Sequence, residues 1–142
     1  MSPNKPGFDC FASFLTSLPE DAQMNEGGEC IAPAGKALAC ILRERLVSAG
    51  LTVTPAEDDL EHFLWEFAIA RGKARVACRI YHFEDCCFVG TEARGLFARR
   101  QRRELHEEVL SMLRSVLESD ERFSHVRWAP SLYLAQQNRH RP

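Results

Sequence analysis

HFLWEFAIARGKARVACRIYHFEDCCFVGT, residues 62–91, is the stretch whose reading decides the fold. Trp65, Phe67 and Ile69 occupy alternate positions, Val76, Cys78 and Ile80 do the same, and Arg71-Gly72 stands between the two runs. A two-residue period is that of a pleated strand, and glycine accepts the positive φ of a tight hairpin turn. Strands are therefore expected at His62–Ala70 and Lys73–Phe83. A third is expected at Asp85–Thr91 after a short turn at Phe83–Asp85, which makes an antiparallel meander.

On the N-terminal side, FDCFASFLT (Phe8–Thr16) is apolar without a helical stripe and reads as a strand, followed by a loop over Ser17–Ala32. Pro33 suits a first helical turn. Ala34, Leu38, Ile41, Leu42, Arg45, Leu46 and Ala49 then recur at three- and four-residue spacing until Gly50 supplies a stop. Leu51–Thr54 has strand character, and Thr54-Pro55-Ala56-Glu57 matches a capping box opening one helical turn. On the C-terminal side a loop at Glu92–Ala98 leads to a second helix from Arg99 to Glu118, with Leu105, Val109, Met112, Leu113 and Val116 on one face. His125–Trp128 is a short final strand. The order predicts an α+β fold: a mostly antiparallel sheet with two main helices packed on one face.

A chain of 142 residues fits one domain, here expected over residues 8–130, between a disordered N-terminus (1–7) and a polar, basic C-terminal tail (131–142). Its 45% hydrophobic and 27% charged residues match folded globular proteins rather than disordered ones. The net charge of -2 supplies no overall attraction to nucleic acid or an anionic membrane. MSPNKPGFDC lacks the basic and apolar regions of an export signal, and no run is long and apolar enough to span a membrane, so a cytoplasmic location is expected. In that compartment the six cysteines are expected as free thiols.

The alternation also sorts side chains by face. With Trp65, Phe67, Ile69, Val76, Cys78 and Ile80 in the core, the opposite face carries His62, Leu64, Glu66, Ala68, Arg75, Ala77, Arg79, Tyr81 and Phe83. Aromatic, apolar and charged groups mixed in this way suit a protein-binding surface, while cross-strand pairing of Glu66 with an arginine would suit a solvated one.

Chemistry has weaker claims. A vicinal Cys86-Cys87 disulfide would need Cα atoms about 3.8 Å apart to bridge a bond that usually spans about 4.4–6.8 Å. A metal or thiol site would have to draw on Cys78, His82, Cys86 and Cys87. Pairing around Glu84-Asp85 places His82 near Cys87 on the core face, but no close C-x2-C pair announces zinc. GGECIAPAGK (Gly27–Lys36) has six residues between Gly28 and Gly35 where a phosphate-binding loop needs four, and His106-Glu107-Glu108 lacks the following histidine of a zinc protease, having Leu110 instead. No catalytic residue, metal ligand or cofactor is expected.

The strongest charge feature is ARGLFARRQRRELHEE (Ala93–Glu108). Arginine binds carboxylate and phosphate in bidentate fashion, and Arg99, Arg100 and Arg103 fall at a helix N-terminus, where the helix dipole disfavours them. An acidic partner surface would offset that cost; nucleic-acid binding through residues 94–103 is the less favoured alternative. Arg100–Glu104 and Arg103–Glu107 pairs on a solvated helix account for the same pattern without a partner.

The order of elements, with Asn25, Gly35, Gly50, Trp65 and Trp128 at their positions within SLPEDAQMNEGGECIAPAGKALACILRERLVSAGLTV, LWEFAIARGKARVACRIY and LRSVLESDERFSHVRW, resembles small, largely uncharacterised bacterial proteins. These include ones similar to the immunity proteins carried beside secreted toxins. The resemblance covers Phe14–Trp128. It implies a cytosolic, non-catalytic protein that binds and neutralises a cognate protein toxin, with His62, Glu66, Arg75, Arg79, Tyr81, Phe83, Arg99, Arg100 and Arg103 as candidate partner-binding residues.

Overall fold

A computed structural model describes residues 9–95, 98–131 and 135–136. The expected N-terminal disorder at 1–7 lies outside these residues, as does most of the C-terminal tail. The strands and helices run β1 (Phe11–Thr16), β2 (Gln23–Met24), β3 (Cys30–Ala32), α1 (Lys36–Ser48), β4 (Thr52–Val53), β5 (Glu57–Asp59), β6 (Leu64–Arg71), β7 (Ala74–His82), β8 (Cys87–Arg94), α2 (Arg99–Ser119) and β9 (Phe123–Ala129). The fold is α+β. Its main sheet has the order β4-β6-β7-β8-β1-β9, every pairing is antiparallel, and β5 also pairs with β6.

The meander forms as expected, with a small displacement of its first turn. Arg71 pairs with Ala74, so the two turn residues are Gly72 and Lys73, with Gly72 at φ 58°. Moving the turn by one residue moves every partner by two. Side chains alternate with period two, so each residue keeps its face. Trp65, Phe67 and Ile69 thus still face the core with Ile80, Cys78 and Val76, and His82 lies opposite Cys87.

Both helices cover this one face. α1 packs on β4, β6 and β7, α2 on β7, β8 and β9, and the helices touch each other. Leu38, Leu42 and Leu46 of α1 and Leu105, Leu113 and Leu117 of α2 are fully buried, each such side chain contributing roughly 1.5–3 kcal/mol. Asp21 caps α1 from a distant loop: its carboxylate accepts the N–H of Gly35 at 2.7 Å and of Ala37 at 2.9 Å. Buried Trp65 donates its indole N–H to the Pro33 carbonyl at 2.8 Å, fixing the approach to that helix.

Three local expectations are corrected. Residues 54–57 do not open a helical turn. The Thr54 hydroxyl accepts from Ala68 N–H rather than capping, and Glu57–Asp59 pairs with β6 as a broken edge strand. The Ser17–Ala32 loop contains the small β2–β3 hairpin. β8 runs to Arg94, through residues expected in a loop. At the opposite edge β9 is bulged between its pairings with Ser13 and Leu15, with His125 at φ 55°, a distortion that discourages edge-to-edge association. No helix among the described residues is long and apolar enough to cross a membrane.

Candidate functional site on the open sheet face

Alternation along β6, β7, β8 and β1 turns a second set of side chains away from the helices. One row crosses four strands in register: Glu66, Arg79, Gly90 and Phe11. Arg79 donates to Glu66 at 3.2 Å and lies 3.3 Å from Glu92, while Arg94 lies 3.6 Å from each of the same two carboxylates. The four groups form a closed ring of two cations and two anions. It has no net charge, but it holds the Arg79 guanidinium from two sides. With these side chains between 33% and 55% exposed, water screens each pair and the ring adds little stability.

Beside the ring is an aromatic patch. Tyr81 and Phe83 have ring centroids 6.0 Å apart, and Phe83 meets Phe88 edge-on at 5.9 Å. Partial burial pushes the Tyr81 phenol up from its ordinary value. Phe88 is fully buried although no helix covers this face. Ala135, whose N–H bonds the Ser131 carbonyl at 3.1 Å, packs with it, Cys86 and Ala129. Ala135, a residue of the expected tail, therefore covers part of this face.

Between ring and patch lies a cavity of about 380 Å³. Phe11, Ala77, Arg79, Tyr81, Gly90 and Glu92 border it on the open side. A Cβ on Gly90 would stand 2.5 Å from Phe11 Cε1, so glycine is what lets the Phe11 ring lie against β8. The cavity continues past the start of β1 to Cys10, Ala93 and His106. There the Thr91 hydroxyl donates to the Cys10 carbonyl at 3.1 Å, which leaves its oxygen to accept a hydrogen bond from His106 Nε2–H at 2.8 Å. Burial lowers the His106 pKa, which favours the neutral ring.

The structure brings Glu66, Arg79, Tyr81 and Phe83 together. Arg75 shares their face but donates to the Gly72 and Ala74 carbonyls at 2.8 and 2.9 Å, at the hairpin end. His62 is corrected: it lies in the exposed turn before β6 rather than on the sheet, 2.9 Å from Asp59, whose carboxylate raises the imidazole pKa. Arg99, Arg100 and Arg103 are exposed on the first turn of α2, on the helix side of the sheet. Arg100 pairs with Glu104 at 3.2 Å, and no side chain caps this helix. An Arg71–Glu108 pair at 2.6 Å ties α2 to the β6–β7 hairpin. Sequence reasoning missed Phe11, Gly90, Glu92 and Arg94; extending the alternation of β8 past Thr91 would have found the last two.

The cysteines sit differently from a reactive site. Burial drives the Cys78 thiol far up, with Glu66 adding to it, and burial followed by the neighbouring Cys86 pushes Cys87 up to about 12. Both shifts disfavour the thiolate that nucleophilic or metal chemistry needs. His82 is buried, and among the described residues no three His, Cys, Asp or Glu side chains converge as a metal site. Comparison with protein-family models, with curated proteins and with solved structures gives no match.

Proposed function

We propose that this chain is a non-catalytic, cytoplasmic binding protein of immunity type, which neutralises a cognate bacterial protein toxin by occluding it with the open sheet face. One observation carries the reading: Arg79, held between Glu66 and Glu92, stands beside Tyr81 at the mouth of an apolar cavity. Arginine and tyrosine are the residue types that most often dominate protein interfaces, and a side chain already fixed in place loses less entropy on binding. The arginines of α2 lie on the other side of the sheet and take no part in the primary contact.

The test is rescue of cells expressing a toxin encoded beside this chain. Wild-type protein should restore growth and bind the toxin in a purified pair. Arg79→Ala and Tyr81→Ala variants that retain the wild-type circular dichroism should do neither. Failure of the wild-type protein to bind or rescue would overturn the reading.

A further inference from the structure

Three loops meet at the end of the sheet opposite the β6–β7 hairpin: the segment after β1, the turn 60–63 that joins the paired Asp59 and Leu64, and the turn 83–86 between β7 and β8. Among them lies a second cavity, of about 310 Å³. Its lining includes buried Pro33 and His82, the rings of Phe63 and Phe83, and exposed Glu20 and Glu84 at the rim. Phe63 is the anomaly. Its φ is 56°, which glycine takes without strain and a bulky residue rarely adopts, and the residue is 56% exposed. Holding an aromatic ring in water on a strained backbone neither relaxes the turn nor fills the core, and such outliers cluster at binding sites. The loops are held in place: Asp59 accepts the His62 N–H at 3.1 Å, Phe83 N–H donates to the Cys86 carbonyl at 3.0 Å, and Asp21, next to Glu20, is fixed by its bonds to Gly35 and Ala37.

We propose that this cavity receives an arginine side chain of a partner polypeptide, with its guanidinium against Phe63 and Phe83 and its N–H groups donated to Glu20 and Glu84. Charge decides the sign of the ligand. Two carboxylates border the cavity, and among the described residues no lysine or arginine does, nor is either carboxylate in an ion pair. Aromatic faces attract cations, and a planar guanidinium can stack on a ring while its fork of donors reaches two carboxylates, as a compact ammonium cannot. Size agrees, since small-ligand sites run from about 300 to 1,000 Å³ and this one, at the low end, suits a single side chain. The cavity is separate from the one on the open face, with Phe83 alone common to it and the aromatic patch there, so its occupant does not depend on the toxin reading.

Nuclear magnetic resonance titration of the full-length protein with acetyl-arginine methylamide tests this without any toxin. Resonances of Phe63, His82 and Phe83 should shift together and saturate. The citrulline analogue, of the same shape but uncharged, should bind at least about tenfold more weakly. Glu20→Gln combined with Glu84→Gln should weaken arginine binding by about tenfold at an unchanged melting temperature. Phe63→Gly should weaken it too, yet melt at or above the wild-type temperature, because glycine relaxes the turn. Equal binding of the arginine and citrulline probes, or no saturable shift at these residues, would overturn the proposal. So would a Phe63→Gly variant that melts below wild type, since the ring would then serve the fold.

Discussion

Arg79 on β7 donates to Glu66 on β6 at 3.2 Å, directly across the hairpin that decides the fold. Both side chains are about one-third exposed, so the pair is worth much less than its geometry suggests. A double-mutant cycle with Glu66→Gln and Arg79→Gln should give a coupling of about 0.2–1 kcal/mol. It should shrink as salt is raised.

Asp21 should give the helix cap a pH signature. Burial would raise its carboxyl, but the N–H bonds from Gly35 and Ala37 outweigh that and hold it below the ordinary 3.8. Asp21→Ala should cost about 1 kcal/mol at neutral pH. A depressed carboxylate stabilises the fold above its unfolded pKa and loses that contribution as pH falls through the folded value. The stability difference between wild type and Asp21→Asn should therefore be constant above about pH 5 and close below 3.8, as read by urea denaturation from pH 7 to pH 2.

Gly90→Ala should displace the Phe11 ring, because the new methyl would stand 2.5 Å from its edge. The side chain can swing rather than the backbone, so the expected cost is about 1 kcal/mol, at the low end for overpacking. In a Phe11→Ala background the same substitution should cost clearly less. Equal costs in the two backgrounds would contradict the contact.

Thiol labelling should follow burial. Cys40 is exposed and should react with an aromatic disulfide reagent at pH 8 like a free thiol, whereas Cys78 and Cys87 should react only as fast as the protein opens. Mass spectrometry of partly labelled protein checks the order. Fast native labelling of Cys87 would revive a thiol function.

The central sheet was legible in the sequence because the alternation from Trp65 to Ile80 is long and uninterrupted, and a displaced turn left its faces unchanged. The periodic faces of the helices were equally plain. Thr54-Pro55-Ala56-Glu57 misled because a capping box is a local signal, whereas the pairing of Glu57 with Glu66 on β6 is tertiary. The β2–β3 hairpin is too short and too exposed to leave a period. Of the candidate site, Glu66, Arg79 and Tyr81 followed from parity alone. Gly90 and Phe11 did not, since only the β1–β8 register brings them together. His62 was misplaced because β6 begins two residues after it.

The most direct test of the account is to compare two faces of one molecule. Titration calorimetry with the proposed partner, a toxin encoded beside this chain, should show Tyr81→Ala weakening binding by about 2 kcal/mol or more, as a central aromatic anchor does. The triple variant Arg99→Ala, Arg100→Ala, Arg103→Ala should bind within about 0.5 kcal/mol of wild type at physiological salt. Loss of binding in the triple variant with Tyr81→Ala unaffected would place the contact on α2 and contradict the open-face account.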